Sequence, residues 1–443
     1  MDKNRWGLNK SQRMQIKAFI CLLGLGLIVV LLLAKLVLIW LRGPKGDEPT
    51  APYIHIPVIE LLTNVWIMEE GEEGLKIFRD GVCEDYPWGE ISAGNGERAQ
   101  YRPDSSVREQ VADIVLADGG VASVRLKLDK INGKILGADD SFIEVEGYGR
   151  LPLAADYKGY RLYDSLAMCA CKDLLFGYSF TDLCMEDGQV CAVLMVKEEV
   201  MEYIRVLIKA SDYSGNFHEA PLLTCDTDYT VVYGPYENQK SERHAAWEEL
   251  SFGADSAYFE TDRIRIVPSV LTGKVVLKNC SRAQGVPSYR GCMELLRTED
   301  GVVLVNEVLL EEYLYSVVPS EMPRTYPAEA LKAQAVSART YAYSSMEHAG
   351  YPGYGAHVDD STSYQVYNNI LEQESTTTAV KDTYGQVLLT DGGVPAESFY
   401  YSTSCGVGSD TNVWKTTAAP TLTYIRSKAL NRAAMSLAQA GDD

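Results

Sequence analysis

Residues 303–343 read VLVNEVLLEEYLYSVVPSEMPRTYPAEALKAQAVSARTYAY, and they set the architecture of the C-terminal half of this 443-residue chain. Residues 302–305 are strand-like. Helical spacing then predicts a helix over residues 307–318, with one apolar side formed by Leu310, Tyr313, Leu314, Val317 and Val318. Pro319 is expected to end this helix. Pro327 suits the first turn of a second helix, which the many alanines that follow it favour.

Glu321 lies between two prolines, in the segment expected to connect these helices. Pro319 and Pro323 restrict the backbone there. Apolar neighbours are supplied by Val318, Met322 and Tyr326. Desolvation by such neighbours disfavours the charged carboxylate and raises its pKa, which a general acid near neutral pH requires. The alternative is an ordinary surface glutamate, or one that caps the second helix.

Two cations on the second helix could form a binding face. Lys332 and Arg339 are seven residues apart, which is two helical turns, so both are expected to project from one side about 10 Å apart. A cationic face beside a single acid would suit an anionic polymer. The alternative is that both residues belong to the solvated side of the helix or pair with nearby acids such as Glu329.

The rest of the chain is mostly strand-like, so the predicted fold class is α+β. Residues 42–105 form a linker and a poorly readable segment, with a short helix considered for residues 54–66. Short alternating runs separated by turn dipeptides predict a β-rich spacer domain over residues 106–200. The C-terminal mixed α+β domain is assigned to residues 201–443. Its strand-like runs include EYIRVLIKA, YTVVYG, RIRIVPSV, GKVVLKN, QVLLT and ESFYYSTS.

The N-terminal region predicts a single membrane span over residues 19–41. Its apolar run is about long enough to cross a bilayer. Five Lys or Arg precede it, and two follow closely, so the tail of residues 1–18 is expected in the cytoplasm and the remainder outside. A cleaved signal peptide is the alternative, although the apolar run is long and lacks a clear small-residue cleavage site.

The charge of the chain excludes one class of partner, and its cysteine count bears on disulfide pairing. Beyond residue 45 the chain carries 33 basic and 60 acidic residues, a net charge of −27. Such a surface repels phosphate backbones, so no nucleic-acid partner is expected. Of the ten cysteines, Cys21 falls in the predicted span, which leaves an odd number outside. Cys280 and Cys292 flank a predicted hairpin and are candidates for a disulfide, with reduced thiols as the alternative.

The segment from Asn306 to Tyr343 closely resembles the stage II sporulation protein D family. PSEMP followed by YPAEALKAQAVSARTYA carries the resemblance, and flanking matches are IRVLIKASDYSG, PSYRG, YQVYNN and FYYSTSCG. The resemblance extends over roughly residues 200–415. It implies a lytic transglycosylase that cleaves between N-acetylmuramic acid and N-acetylglucosamine and leaves a 1,6-anhydromuramic end.

The resemblance also implies roles for particular residues. Glu321 corresponds to the catalytic acid. The implied substrate-binding residues are Lys332, Arg339, Tyr364, Gln365, Ser402, Thr403 and Ser404. One carboxyl suffices, because the C6 hydroxyl of the substrate acts as the nucleophile, so Glu321 can protonate the leaving oxygen and then accept the hydroxyl proton. Glu329 and Asp359 stay open as helpers, and no cofactor is expected.

Two departures from the family pattern matter. Some members hold zinc with Cys and His before the QVY segment, whereas this chain has only His357 and two aspartates there, so no metal is expected. The chain also has Cys405 where many members have glycine, which opens the alternative of a thiol nucleophile with His357 as its base.

Two functions remain open at this stage. The first is a membrane-anchored transglycosylase acting on peptidoglycan glycan strands, with a preference for peptide-stripped strands, in sporulation or vegetative wall remodelling. The second is a wall-binding or amidase-enhancing protein of the same fold, since relatives are described as amidase enhancers. Expected partners are peptidoglycan, the membrane, a cell-wall amidase and other sporulation membrane proteins.

Overall fold

The computed structural model describes residues 57–92, 98–196, 200–401, 407–408, 424–425 and 428–429. From Val58 onward the described residues belong to one compact unit. This unit is β-rich with few helices. Among the described residues no helix is long and apolar enough to cross a membrane. The predicted span at residues 19–41 lies outside them.

The N-terminal part of the unit is an antiparallel five-stranded sheet. Its strands, in spatial order, are Val82–Pro87, Gly74–Arg79, Ile59–Glu70, Gln110–Ala117 and Gly120–Leu126. The predicted helix at residues 54–66 is therefore wrong from Ile59 onward, because this segment pairs with the strands Gly74–Arg79 and Gln110–Ala117 on either side. A bulge at Asn64, whose φ is +53°, interrupts the register with the fourth strand in this order. Two short strands, Glu90–Ser92 and Arg98–Gln100, form a separate pair.

A seven-stranded middle sheet follows. Six strands lie in the order Lys130–Asn132, Thr181–Glu186, Gln189–Met195, Gly149–Arg161, Phe142–Val145 and Ile135–Ala138, and Ala167–Met168 pairs with the fourth of them. The third and fourth strands pair in parallel, so the chain must cross over between them. The crossover contains a short 3-10 helix at Cys171–Asp173.

The C-terminal part is built on a second seven-stranded sheet. Its order is Lys240–His244, Tyr229–Tyr233, Arg263–Pro268, Cys292–Thr298, Gly301–Leu309, Tyr203–Ile208 and Val358–Asp359. A four-stranded sheet has the order Leu250–Ser251, Leu222–Cys225, Val275–Leu277 and Ser288–Tyr289, and Val407–Gly408 pairs with Lys428–Ala429. Further 3-10 helices are Ser211–Tyr213, Tyr236–Asn238 and Pro352–Tyr354. The strand-like runs at residues 202–210, 229–234, 263–270 and 273–279 are thereby confirmed.

In the described part of the chain, two α-helices pack on this sheet, α1 (Leu310–Glu321) and α2 (Ala328–Glu347), and a third, α3 (Glu374–Asp382), packs against both of them. The prediction of α2 is confirmed. The prediction for α1 is shifted, because Glu307 continues the preceding strand opposite Cys292. The expectation that Pro319 ends α1 is wrong, because this proline lies inside the last turn of the helix. Only one intrahelical hydrogen bond is lost to a proline there. QVLLT at residues 386–390 is not a strand, and makes only an isolated bridge.

One hydrophobic core extends across the middle and C-terminal sheets. Buried hydrophobic side chains from the range 135–195 pack in one cluster with those from the range 204–380. A buried ion pair connects the same parts: the guanidinium of Arg263, in the C-terminal sheet, contacts Glu144 of the middle sheet at 2.8 Å. The predicted boundary at residue 200 stays a prediction, since strands on both sides of it contribute to one core.

The eight cysteines in the described part of the chain are free thiols. Cys280 and Cys292 are among them, so the considered disulfide is wrong and the alternative of reduced thiols holds for this pair. Both side chains are desolvated, which raises the pKa of each thiol above its usual value. Neither is therefore poised as a thiolate nucleophile.

Candidate active site

Glu321 is the last residue of α1, and its carboxyl is held in place by the segment that follows His357. Its Oε1 accepts a hydrogen bond of 2.7 Å from the backbone N–H of Val366. The neighbouring Ser320 hydroxyl accepts one of 3.0 Å from the N–H of Ile370. Two hydrogen bonds therefore hold the end of α1 against residues 366–370. Glu321 is half-buried, which differs from the expectation of a connecting loop but keeps the predicted partial desolvation.

The environment of Glu321 favours its protonated form. Desolvation by burial is the largest influence and raises the pKa of this carboxyl above its usual value. Hydrogen bonds from the Val366 N–H and the Tyr400 hydroxyl act in the opposite direction, because they stabilise the carboxylate. A carboxyl with a raised pKa that also has two fixed donors can both give and take a proton.

Gln365 organises the hydroxyl that faces Glu321. Its Nε2 donates to the Ala338 carbonyl at 3.2 Å and to the Tyr400 hydroxyl at 3.1 Å, and its Oε1 accepts from the Tyr313 hydroxyl at 3.3 Å. Because the Tyr400 oxygen accepts from Gln365, its own proton is directed to Glu321. Burial and the nearby Glu321 carboxylate raise the pKa of Tyr400, which keeps that proton in place.

Two consequences follow for the predicted site. Gln365 is buried and reaches Glu321 through Tyr400, and its predicted contact with substrate stays a prediction. Tyr313 and Tyr400 were missed as site residues. The only sequence signal for Tyr400 was its place in the matched run FYYSTSCG. Tyr364 is half-buried with its ring centroid 6.1 Å from that of Tyr351, and its predicted contact with substrate stays a prediction.

Arg339 is committed to the protein interior. Its side chain is 1% exposed, and it makes two bonds to the Glu311 carboxylate, at 2.7 and 2.8 Å. It also donates to the carbonyls of Val380 and Gln386, each at 3.1 Å. Arg339 thus joins the first turn of α1 to α2, the end of α3 and the chain beyond it. This guanidinium is thus engaged within the protein, and its predicted contact with substrate stays a prediction.

Lys332 is the member of the predicted cationic face that reaches solvent, since its side chain is 30% exposed. Its Nζ lies 3.2 Å from Asp382 and 3.3 Å from Glu329. Hydrogen bonds to Asp382 and then Glu329 raise the pKa of this ammonium above its usual value. The pairing with Glu329 is the alternative that the sequence left open. Exposed pairs of this kind are weak and exchange readily, so Lys332 remains accessible to an anion.

A large cavity lies at the other end of α1. It has a volume of about 1160 Å³, and its lining includes Glu311, Glu312, Tyr315, Arg339, Tyr343 and Tyr384. Glu311 is ten residues before Glu321, about 15 Å away along the helix axis at the usual rise per residue. The predicted acid is absent from this lining, so the cavity and the carboxyl of Glu321 mark two different places.

His357 is not available as a base. Its Nδ1 accepts from the backbone N–H of Arg205 at 3.0 Å, and its Nε2 donates to the Phe176 carbonyl at 3.1 Å. Burial lowers its pKa to about 3, which keeps the imidazole neutral. The alternative of a thiol nucleophile activated by His357 is therefore wrong, because both ring nitrogens are engaged. Cys405 itself lies outside the described residues, as do Ser402, Thr403 and Ser404.

The aspartates beside His357 are also structural. Asp359 accepts from the Tyr351 hydroxyl at 2.6 Å and from the backbone N–H of Ser361 at 2.8 Å. Asp360 pairs with Arg282 at 2.6 Å. Within the described part of the chain, no group of three or more His, Cys, Asp or Glu side chains is arranged to hold a metal ion.

Comparison with known proteins identifies the C-terminal region. Residues 298–389 match the family model SpoIID, described as stage II sporulation protein. A protein named stage II sporulation protein D, from Bacillus subtilis strain 168, is 36% identical over 137 residues, which covers 28% of this chain and 40% of the relative. An uncharacterised protein of Brachyspira hyodysenteriae is 39% identical over 124 residues, or 28% of this chain and 33% of the relative.

A further relative carries a different name. A Bacillus subtilis protein called amidase enhancer is 35% identical over 101 residues, which covers 23% of this chain and 13% of its own length. The chain therefore matches less than half of each of these relatives. The region matched by the family model contains Glu321, Lys332, Arg339, Tyr364 and Gln365, whereas Tyr400 lies beyond it.

Proposed function

The chain belongs to the stage II sporulation protein D family through its C-terminal domain, and on that premise we propose that it is a membrane-anchored lytic transglycosylase of peptidoglycan. A cell-wall role linked to sporulation is the coarser conclusion that the family and the amidase-enhancer relative support. The observation that carries the finer proposal is the half-buried carboxyl of Glu321, whose pKa is raised and whose orientation is fixed by Val366 and Tyr400.

The proposed reaction uses one protein carboxyl. Protonated Glu321 donates its proton to the oxygen that links N-acetylmuramic acid to N-acetylglucosamine, and the bond from C1 to that oxygen breaks. The C6 hydroxyl of the same muramic acid forms the new bond to C1. Its proton passes to the Glu321 carboxylate, so the acid is regenerated and no water is consumed. The donors from Val366 and Tyr400 stabilise the intermediate carboxylate.

The surroundings of Glu321 suggest how the strand is held. Lys332 reaches solvent at the start of α2 and is the cation that we assign to the lactyl carboxylate of peptide-stripped muramic acid. Tyr364, Ser402, Thr403 and Ser404 stay proposed contacts. Arg339 contributes by fixing the helices to one another. No cofactor is required by this scheme.

Anchoring is part of the proposal. Residues 19–41 would cross the membrane once, with residues 1–18 in the cytoplasm and the remainder facing the wall. The expected partners are glycan strands, the membrane, a cell-wall amidase and other sporulation membrane proteins. A reporter that is active only in the cytoplasm, fused after Asp443, should then be silent. An active fusion would contradict this topology.

A second candidate is a wall-binding protein that enhances an amidase without useful turnover. It is favoured by the relative named amidase enhancer and by the burial of Arg339, which leaves only Lys332 of the two predicted cations in contact with solvent. The two candidates predict different products from the same sample.

Product analysis separates them. Purified protein is incubated with amidase-treated glycan strands in water enriched in oxygen-18, and the fragments are weighed by mass spectrometry. A transglycosylase yields 1,6-anhydromuramic ends that carry no oxygen-18. Unchanged strands, together with faster release of stem peptides from peptide-bearing wall in a parallel sample that also contains an amidase, would favour the enhancer instead.

A further inference from the structure

Two hairpin tips, far from Glu321 in sequence, each present an exposed tyrosine. Tyr148 lies in the turn between the strands Phe142–Val145 and Gly149–Arg161, and 52% of its surface is exposed. Tyr236 lies in the turn between Tyr229–Tyr233 and Lys240–His244, and 62% is exposed. Their rings are nearly parallel, at 17°, with centroids 6.4 Å apart. The middle and C-terminal sheets thus jointly expose one aromatic surface.

The backbone beneath this surface is built to let the rings approach. Gly147 has a φ of +96°, which favours glycine. A Cβ at Gly147 would lie 3.0 Å from the Tyr236 ring, so any larger residue would displace it. The absence of a side chain at position 147 therefore allows Tyr236 to lie directly on the opposite hairpin.

A cavity of about 460 Å³ adjoins Tyr236, within the size range of about 300–1,000 Å³ that is usual for small-molecule sites. Its lining mixes donors and acceptors of both charges, including Glu146, Arg150, Gln239, Glu260 and Arg265. Many of these are already oriented by ion pairs: Arg265 contacts Glu146 at 2.7 Å, and Lys240 contacts Glu260 at 2.6 Å. The net charge of the lining is consequently small, although the chain as a whole is acidic.

This combination matches the chemistry of a sugar ring. A pyranose presents C–H groups on its faces, which stack on an aromatic ring, and hydroxyl groups around its edge, which both donate and accept hydrogen bonds. Carboxylates and guanidinium groups held side by side meet both requirements. A nucleic acid would be repelled by the acidic chain, and a purely apolar ligand would leave the charged lining desolvated.

We propose that the surface of Tyr148 and Tyr236, with the adjoining cavity, is an accessory binding site for a β-1,4-linked N-acetylhexosamine strand. The inference rests on the proposed function, because it assigns a second contact for the same polymer. The site lies outside the region matched by the family model, at residues 298–389. It would retain a long strand while Glu321 acts elsewhere along it. Cleavage at Glu321 of strands too short to reach both sites would not depend on it.

The test uses the full chain in detergent and a defined probe, the hexamer of N-acetylglucosamine. Tyr236→Ala and Tyr148→Ala should each weaken its binding at least tenfold by calorimetry, with melting temperatures unchanged, since both side chains are exposed. Tyr384→Ala is the matched control, because Tyr384 is 72% exposed and lines the other cavity, and it should bind as wild type. Wild-type affinity in both variants, or no hexamer binding by the unaltered protein, would overturn the proposal.

Cleavage assays on the same variants separate this site from Glu321. On insoluble wall, Tyr236→Ala should raise KM and leave kcat unchanged. A fall in kcat with hexamer binding intact would also overturn the proposal. Failure of the transglycosylase proposal has a different signature, namely no anhydro ends from unaltered protein, whatever the hexamer binding.

Discussion

Replacing Arg339 distinguishes a structural cation from a ligand-binding one. In Arg339→Ala the carboxylate of Glu311 loses both of its bonds at 2.7 and 2.8 Å, and the carbonyls of Val380 and Gln386 lose a donor. Breaking a buried pair by removing one partner costs about 3–5 kcal/mol. We therefore expect the free energy of unfolding to fall by about that amount, because the hydrogen bonds of Arg339 that connect the three helices are lost.

The assay is urea unfolding followed by circular dichroism, with binding to amidase-treated strands measured below the transition. Arg339→Lys preserves the charge but cannot reproduce the fork, so it should lose about half as much stability. Lys332→Ala is the control, and its midpoint should match the wild type while its affinity for peptide-stripped strands falls. If Arg339→Ala unfolded like the wild type but no longer bound the strands, the structural role assigned to Arg339 would be refuted.

Two other outcomes follow from the site and its supports. Tyr400→Phe removes a donor that lowers the pKa of Glu321, so that pKa should rise, and the alkaline limb of the pH–rate profile should move to higher pH; an unmoved limb would remove Tyr400 from the account. His357 has a pKa of about 3 in the folded protein, below that of the unfolded chain, so its stabilising contribution is full above about pH 6.5 and is lost as the pH falls. Between pH 7 and pH 5 the protonation of this group should lower the free energy of unfolding by about 2 kcal/mol. His357→Gln, whose amide can keep the bonds to Arg205 and Phe176, should not show this loss. Equal losses in the two proteins would contradict the assignment.

Local sequence patterns predicted the helices and strands that are determined mainly by residues close together in the chain. The alanine-rich run predicted α2, and alternating runs predicted strands such as Tyr203–Ile208 and Arg263–Pro268. The predicted end of α1 at Val318 is too early, because a proline in the last turn removes only one intrahelical hydrogen bond and the helix continues to Glu321. The segment after Ile59 was misjudged since its partners, such as Gln110–Ala117, lie about fifty residues away.

The site was predictable only in part for the same reason. The neighbours of Glu321 in the chain predicted a raised pKa, which the structure bears out, whereas its role as the acid came from the resemblance to the family. The pairing of Arg339 with Glu311 was not predicted, because Glu311 is 28 residues away and belongs to another helix. The orientation of Glu321 depends on Tyr400 and Gln365, which are 35 residues apart and meet only in the folded protein. Helical spacing says which residues share a side, but not whether that side faces solvent or core.

The most direct test of the central claim is the release of anhydro-muropeptides by Glu321→Gln. Glutamine keeps the shape and can still accept the hydrogen bond from Val366, but it has no proton to transfer. Glu299→Gln serves as the matched control, because Glu299 is exposed in a turn of the same domain. With both proteins folded and bound to strands, Glu321→Gln should release anhydro ends about 10²–10⁴ times more slowly than the wild type, and Glu299→Gln at the wild-type rate. Near-wild-type release by Glu321→Gln would contradict the account.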